Sequence, residues 1–296
     1  MPTRQRTLSD SSDPQKQREQ GVRAIRAALQ SGHAAEAARL LMRLVEGRLV
    51  PHHRKLATWL VSAIGRNETA KLVDAFVHLP CFYCAKGRLP CHVCESRGHL
   101  PTESVCPRCL GAGVERCDFC AGSGWATINA IPEGLRATVI RKRTRLASER
   151  TAALLDRSIP KPSTRDPEGT IRQYRLLLLK LDRQMGVFEN MLLATRTLRT
   201  PSREIRSALA SILNRCMRLA LRVEKRTAEI MRAMSEAHRV LARSGLPKNA
   251  TKSELLRRAE YYDSLGDPDA TLAGTGLEHP FLHRAITGTL KNSQTP

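Results

Sequence analysis

The sequence predicts a mainly α-helical protein in which helical hairpins flank one small cysteine-rich module. Eight of the nine cysteines lie within residues 81–124. On both sides of that window apolar residues recur every three or four positions, which is the period of an amphipathic helix. After the window no segment alternates apolar and polar residues as a half-buried strand does. A content of 41% hydrophobic and 26% charged residues excludes both wholesale disorder and a membrane protein.

The N-terminal residues and the apolar runs indicate the compartment. Residues 1–20 are polar and contain no apolar core of a secretory signal, so we expect a disordered leader. The longest nearly apolar run, Leu56–Gly65, has ten residues, about half of the roughly 20 that a membrane-spanning helix needs. These observations predict a cytoplasmic protein without a membrane partner.

Residues 21–80 are predicted as a repeat-like domain of helical hairpins. Apolar faces such as Leu40, Leu41 and Leu44 indicate short helices. We place these helices at residues 21–31, 34–47, 53–64 and 67–79. The sequence around Gly32 recurs 33 residues later around Gly65, and this period is close to that of tetratricopeptide-type hairpins. One or two such hairpins and a plain helical bundle both fit the pattern.

Four CxxC pairs in residues 81–124 are the strongest chemical signal in the chain. The pairs are Cys81/Cys84, Cys91/Cys94, Cys106/Cys109 and Cys117/Cys120. Two residues between cysteines let both thiolates reach one metal from a tight turn, and two pairs complete a tetrahedral zinc site. A disulfide framework belongs to exported chains, and no export signal is visible here. The eight cysteines therefore predict two zinc ions.

The gaps between the pairs bear on which pairs share a zinc ion. They are six, eleven and seven residues long. If the chain folds back within the middle gap, the two arms run antiparallel and the first pair faces the fourth without crossed connections. This nested pairing assigns zinc one to Cys81, Cys84, Cys117 and Cys120, and zinc two to Cys91, Cys94, Cys106 and Cys109. Sequential pairing, first with second and third with fourth, stays open as the alternative.

Glycines after the cysteines give the module a family resemblance. Two repeats read CxxCxGxG in full, with glycines at Gly111, Gly113, Gly122 and Gly124. The second repeat keeps only Gly98, and the first has Gly87 one place off. With these repeats, residues 81–124 resemble the cysteine-rich zinc domain of DnaJ-type co-chaperones, which has four repeats and two zinc ions in the nested pairing. The resemblance implies a compact β-hairpin-like module with a chaperone role.

Other parts of a DnaJ-type protein, and enzyme motifs, are missing from the sequence. The single His-Pro pair, His279-Pro280, is followed by Phe281, so the His-Pro-Asp tripeptide of a J-domain is absent and J-domain ATPase stimulation is not expected. No Gly-rich phosphate loop, nucleophile elbow or paired-carboxylate motif is present. Thiol–disulfide exchange is disfavoured because zinc quenches a bound thiolate as a nucleophile. We therefore do not expect an enzyme.

Most of the positive charge lies after the cysteine-rich module. The net charge is +21, and residues 125–296 contribute +14, with 31 basic and 17 acidic side chains. Residues 125–157 are predicted as a basic helix, and 158–169 as a linker because of three prolines and a glycine. The densest positive patch in that helix consists of Arg141, Lys142, Arg143 and Arg145.

Residues 170–245 are predicted as a C-terminal antiparallel coiled-coil hairpin. Apolar residues such as Tyr174, Leu181 and Phe188 recur at spacings of three and four in a seven-residue pattern. Ser202 is placed to cap the second helix. Either the two helices pair within one chain, or the seam joins two chains in a homodimer. Residues 246–296 are predicted as a short helix with a capping box, followed by an irregular tail.

The sequence favours a binding protein, and two classes of partner compete. The resemblance implies a zinc-binding, chaperone-like adaptor for an unfolded or assembling protein client. The alternative is an RNA- or ribosome-binding protein in which the basic patch on residues 125–157 contacts the polyanion and zinc only braces the fold. The two classes differ in their response to salt, since polyanion binding weakens steeply as the salt concentration rises.

Overall fold

The computed structural model describes residues 13–51, 53–101, 104–109, 111–196, 202–244 and 250–266. Within these residues the chain is mainly helical, with one small two-stranded sheet. The chain divides into two compact units, described separately below. The first unit comprises the described residues up to Leu79 together with Asn129–Val139, and the second comprises Pro80–Ile128 and the described residues from Ile140 onward. The predicted tail lies outside the described residues beyond position 266.

The described residues of the first unit up to Leu79 form four helices, as the sequence predicts for residues 21–80. They are α1 (Pro14–Gln30), α2 (Ala34–Glu46), α3 (Lys55–Ile64) and α4 (Arg66–Val77). Their apolar faces meet in a core that includes Ile25, Leu41, Leu60, Leu72 and Phe76, all at most 1% exposed. Helix α1 packs on α2, while α2 and α3 both pack on α4.

The start of α1 corrects the predicted leader. Residues 14–20 are helical, and the part of the leader over 1–12 lies outside the described residues. The helix begins here because Pro14 suits the first helical position and the Asp13 carboxylate accepts a hydrogen bond from the Gln15 amide at 2.9 Å. The repeated glycines have a shared role, since Gly32 and Gly65 both adopt positive φ in the turns that end α1 and α3.

Helix α5 (Glu133–Leu155) begins within the first unit and continues into the second. Gly134 allows a close approach in the first unit, because a Cβ atom there would lie 2.0 Å from the His53 carbonyl oxygen. The helix covers most of the range predicted as basic. No helix among the described residues is long and apolar enough to cross a membrane.

The second unit contains the long C-terminal helices. These are α6 (Pro167–Arg196), α7 (Arg203–Ser244) and α8 (Lys252–Gly266), and α7 packs on both of the others. Helix α6 begins inside the predicted linker because Asp166 caps it, accepting from the Gly169 amide at 2.8 Å. The capping box of α8 is confirmed by reciprocal bonds between Thr251 and Glu254.

The predicted seam residues are buried, but in a broader core than a two-helix hairpin has. Tyr174 and Leu181 from α6 share one apolar cluster with Ile230 from α7 and Tyr262 from α8. The end of α5 adds Leu154 to the same cluster. Several helices thus cover this seam, and the antiparallel coiled-coil geometry stays a prediction.

Residues 80–125 form the module between the helical regions. Strand β1 (Arg88–Pro90) pairs antiparallel with β2 (Val114–Arg116), so the segment folds back on itself between them. Further antiparallel bridges join Pro80 to Trp125 and His99 to Val105. This register places the first CxxC pair beside the fourth and the second beside the third.

Candidate metal centre

The structure brings the eight predicted cysteine ligands together in two groups of four. One group is Cys81, Cys84, Cys117 and Cys120, and the other is Cys91, Cys94, Cys106 and Cys109. In each group all four sulfur atoms lie within 4.8 Å of one another. These are the sets of the nested pairing, and the sequential pairing does not occur. Each group can hold a metal ion.

The donor atoms suit zinc in chemistry and in spacing. Four thiolates at the corners of a tetrahedron, each about 2.3 Å from a zinc ion, lie roughly 3.8 Å apart. The observed sulfur separations are 3.7 Å for Cys84 to Cys120 and 3.6 Å for Cys94 to Cys109. Both are far beyond the roughly 2.05 Å of a disulfide bond. Soft thiolate donors in this geometry are typical of a structural zinc site.

Backbone amides of the repeats point at the sulfur atoms. The fourth residue after the second cysteine of a repeat donates its N–H group to that cysteine, as Gly98 does to Cys94 at 3.2 Å and Gly113 to Cys109 at 3.3 Å. In the first repeat the displaced Gly87 supplies this amide. Such bonds stabilise the thiolate form, because they place positive partial charge beside the sulfur.

The pKa values of the thiols reflect burial and crowding. Burial raises the pKa of Cys109 to about 12, with the Cys94 and Cys106 thiols adding to the shift against the Gly113 amide. Burial also acts to raise the pKa of Cys94, but the Gly98 amide and the neighbouring cysteines lower it to about 7. Each group therefore has to release protons when a metal binds, and affinity should fall at acid pH.

A shared backbone conformation underlies the four repeats. The second residue after each repeat's last cysteine has positive φ, at Lys86 (53°), Ser96 (68°), Gly111 (81°) and Gly122 (73°). Lys86 and Ser96 thus adopt the left-handed region without being glycine. The arms also approach closely, since a Cβ atom on Gly87 would lie 2.0 Å from the Gly122 carbonyl oxygen. The incomplete repeats keep the geometry of the complete ones.

Helix α6 holds the last CxxC turn in place. Gly186 has no side chain at the point of contact, where a Cβ atom would lie 2.1 Å from the Ala121 carbonyl oxygen. The buried Asn190 amide donates to the carbonyl oxygens of Cys120 and Trp125, each at 3.3 Å. These contacts are not predicted from the sequence. Gly186 within an otherwise apolar helical pattern was the available signal, because an interior glycine often marks a close approach.

Two partly buried ion pairs join the strands of the module to α6. Arg88 on β1 pairs with Asp182, and Arg116 on β2 pairs with Glu189. Burial, together with the nearby positive charge of Arg116, lowers the pKa of Arg88 to about 10. Such pairs specify geometry, because removing one partner leaves a buried charge uncompensated.

A third carboxylate, that of Glu115, bonds to two side chains on the surface beside the second cysteine group. Glu115 accepts from His92 Nδ1 at 2.6 Å and from Arg108 Nε at 2.8 Å. Hydrogen bonds from His92 and Arg108 lower the pKa of Glu115 to about 2 against the effect of burial. His92 lies inside a CxxC pair, but its ring contacts this carboxylate and is not part of either cysteine group.

Large apolar side chains between the cysteines point to solvent. Phe82, Tyr83 and Phe119 are 65%, 63% and 62% exposed, and Val93 is 43% exposed. The Tyr83 and Phe119 rings stack with their centroids 3.9 Å apart. We call Phe82, Tyr83 and Phe119 the aromatic face. Because they are exposed, these side chains do not form a core over the cysteine groups.

The predicted basic patch on α5 is smaller than expected. Arg141 and Arg145 are exposed and Lys142 is half-buried, but Arg143 is fully buried. The Arg143 Nη1 atom donates to the Ala126 carbonyl at 2.7 Å. Burial lowers the pKa of Arg143 to about 9. The run of basic residues spans a full helical turn, so one of them faces the core and cannot contact a polyanion.

Comparison with protein-family models, curated proteins and solved structures finds no match for this chain.

Proposed function

We propose that the protein is a zinc-binding, chaperone-like adaptor that recognises unfolded or assembling protein through a DnaJ-type cysteine-rich module at residues 81–124. The observation that supports this most directly is the aromatic face. Large exposed apolar side chains clustered on a rigid turn are typical of protein-interaction sites. Zinc bound by the two cysteine groups would fix the turns that present this face.

The charge of the module favours a polypeptide over a nucleic acid at this face. Residues 81–124 carry five basic and four acidic side chains. Eight thiolates and two zinc ions would add −4, which brings the module from +1 to −3. Stacking of bases on aromatic rings is usually combined with a positive groove that follows the phosphates. The module as a whole does not supply that positive charge.

The binding test compares variants of exposed residues, which should fold normally. Phe82→Ser with Phe119→Ser removes two side chains of the aromatic face, and Leu221→Ser is a matched control because Leu221 is 74% exposed on α7. The ligand is a fully reduced polypeptide alkylated with iodoacetamide, so that it stays unfolded. Binding is measured by fluorescence anisotropy with zinc-loaded protein.

We expect the double variant to bind at least tenfold more weakly than the parent and the control to bind normally. The affinity should change little between 50 and 200 mM salt, because apolar contacts carry it. Equal binding by all three proteins would contradict the proposal. A steep salt dependence of binding that disappears in an Arg141→Ser, Arg145→Ser variant would also contradict the proposal. That result would instead support the RNA- or ribosome-binding alternative.

A further inference from the structure

The N-terminal part of α7 carries an exposed band of positive charge. Six cationic side chains over residues 203–225 are exposed, and they are Arg203, Arg206, Arg215, Arg218, Arg222 and Lys225. The same stretch has two acidic residues, Glu204 and Glu224, so its net charge is +4. The last four cations are spaced three and four residues apart, which places them on one face of the helix over about 15 Å. We call these four side chains, at positions 215, 218, 222 and 225, the basic row.

The basic row is poorer in carboxylate partners than the later part of α7. Among the described residues, Arg222 pairs with Asp156 at 3.3 Å, and no ion pair involves Arg215, Arg218 or Lys225. Farther along α7, three arginines have carboxylate partners: Arg226 with Glu229, Arg239 with Asp263 and Arg243 with Glu236. Like charges three or four residues apart destabilise a helix. A bound anion that neutralises the row would therefore stabilise the helix as well.

The charge density of the row suits a nucleic-acid duplex. A duplex carries about one negative charge per 1.7 Å of its axis. An extended polypeptide provides at most about one per 3.3 Å, and only in an unbroken run of acidic residues. Three of the four cations are arginines, and a guanidinium group can donate two parallel hydrogen bonds to one phosphate. Ser207, Ser211 and Asn214 are exposed on the same stretch and can also donate to phosphate oxygens.

The other side chains of α7 favour a stacked duplex over a single strand or a membrane surface. Proteins that bind single strands usually stack bases on aromatic rings, and α7 contains no phenylalanine, tyrosine or tryptophan. A helix at a membrane surface buries a continuous apolar face in lipid. The apolar face of α7, which includes Ile205 and Ile212, is buried within the protein. The large apolar side chains that this helix exposes are those of Met217 and Leu221 alone.

We propose that the basic row of α7 binds the phosphate backbone of a nucleic-acid duplex without reading its base sequence. The guanidinium groups of Arg215, Arg218 and Arg222 bond to phosphates, and Lys225 adds a fourth cation. Arg222 exchanges Asp156 for a phosphate at little cost, because both side chains are more than half exposed and their ion pair is weak in water. The row shares no residue with the aromatic face or with the basic patch on α5, so this inference goes beyond the proposed function.

The test measures binding of a fluorescein-labelled DNA duplex of about 20 base pairs and mixed sequence to the full zinc-loaded chain. The row variant replaces three cations by glutamine, which removes charge and keeps good helix propensity: Arg215→Gln, Arg218→Gln and Lys225→Gln. The matched control removes the same charge at exposed positions of α6 and α8: Arg172→Gln, Lys252→Gln and Arg257→Gln. Circular dichroism and zinc content verify that both variants are folded.

We expect the row variant to bind the duplex at least tenfold more weakly than the parent at about 100 mM salt, and the control to bind within about twofold of the parent. The slope of log K against log salt concentration should become less steep by about three in the row variant, because each phosphate contact contributes about 0.9. Equal weakening in both variants would overturn the proposal, since total charge would then account for binding. A parent protein that does not bind the duplex would also overturn it.

Competition experiments identify the kind of anion. Unlabelled duplex should displace the labelled duplex better than three other anions at equal charge concentration: single-stranded DNA, poly-glutamate, and vesicles of phosphatidylcholine with phosphatidylserine. An unlabelled duplex of scrambled sequence should compete as well as the original, because the contacts are to phosphates. Stronger displacement by single-stranded DNA, by poly-glutamate or by the vesicles would overturn the duplex as the ligand, and strong sequence preference would overturn backbone binding.

The variants of the other two surfaces separate this inference from the proposed function. Phe82→Ser with Phe119→Ser should bind the duplex as the parent does, and the row variant should bind the unfolded polypeptide normally. Each proposal can therefore fail while the other holds. If Arg141→Ser with Arg145→Ser loses duplex binding while the row variant keeps it, the nucleic-acid site lies on α5 and the proposal for α7 is wrong.

Discussion

Lys86 and Ser96 adopt a strained left-handed backbone conformation. The other two repeats have glycine at the matching positions. Both are exposed and both have positive φ, at 53° and 68°. A left-handed conformation costs an ordinary residue roughly 1–2 kcal/mol. Glycine avoids that strain, but part of the gain in stability is lost because glycine has more conformational freedom in the unfolded chain. The side chain at each of these two positions therefore lowers the stability of the folded module.

Lys86→Gly should stabilise the zinc-loaded module by about 0.5–1 kcal/mol, because it removes the strain of the left-handed conformation. The measurement is the free energy of unfolding in urea, followed by circular dichroism. Lys86→Ala is the matched control, since it removes the same charge but keeps a Cβ atom. A gain of the same size in the alanine variant would assign the effect to charge instead of backbone conformation.

His238 on α7 is a buried histidine whose titration affects stability. Its side chain is hydrogen-bonded to the Met234 carbonyl at 2.8 Å, and it packs against Tyr262. Burial lowers the pKa of His238 to about 4, with Arg175 and Arg258 adding to the shift while the bond to Met234 opposes it. The folded chain therefore holds this ring neutral where an unfolded chain, with a pKa of about 6.5, takes up a proton.

The contribution of His238 to stability should be constant above about pH 6.5 and should fall as the pH is lowered from there to about 4. The loss approaches roughly 3 kcal/mol, because each pKa unit corresponds to about 1.4 kcal/mol. Urea unfolding between pH 7 and pH 4.5 measures it. His238→Gln should flatten this part of the profile, and an unchanged slope in that variant would assign the acid sensitivity to other groups, the cysteine sites included.

The two cysteine groups differ in their access to solvent. In the second group all four cysteines are buried, whereas in the first group Cys84 is half-buried. A metal ligand that solvent reaches is the natural point of attack for a chelator or an alkylating agent.

Zinc should leave the module in two kinetic phases when a strong chelator is added, with one equivalent lost in each. The faster phase belongs to the group of Cys84, because that sulfur is the most accessible. A colorimetric zinc indicator follows the release, and mass spectrometry after brief iodoacetamide treatment should find Cys84 labelled first. In Cys84→Ser the fast phase should disappear or become too fast to resolve, while Cys94→Ser should alter the slow phase. Single-phase loss of both ions would show that the groups are equivalent.

Sequence patterns were informative wherever the deciding contacts are local or repeat in the chain. The spacing of the CxxC pairs favours the two observed sets of four cysteines, because a fold-back within the middle gap brings the first pair to the fourth, but spacing alone leaves sequential pairing open. The helices of both units follow from apolar periodicity. Contacts of Gly186 and Asn190 with the last CxxC turn join residues 65 and 70 positions apart in sequence and have no periodic signal. The burial of Arg143 was likewise not predictable from the sequence, because the packing of α5 decides which of its basic side chains is buried.

The two cysteine groups and the long helices α6–α8 belong to one compact unit, so the effect of zinc on the helices can be tested. The module supplies carbonyl oxygens and arginines that satisfy buried groups of α6, including Asn190, Asp182 and Glu189. If chelation unfolds the module, these α6 groups lose their partners and a buried carboxylate is left uncompensated. Helices α2 and α4 have an apolar core of their own in the other unit.

Chelation of zinc should therefore increase hydrogen exchange at the backbone amides of the module and of α6 near residues 182–190, and should leave the amides around Leu41 and Leu72 protected. Hydrogen exchange with mass spectrometry on the full chain, with and without chelator, gives both readouts in one experiment. Gly186→Leu in the presence of zinc should reproduce the loss of protection in α6, because its side chain cannot fit against the Ala121 carbonyl. Uniform loss of protection in both units on chelation would show instead that the zinc sites stabilise the whole chain. Unchanged protection in α6 would show that the contacts of α6 with the module contribute little to the stability of that helix.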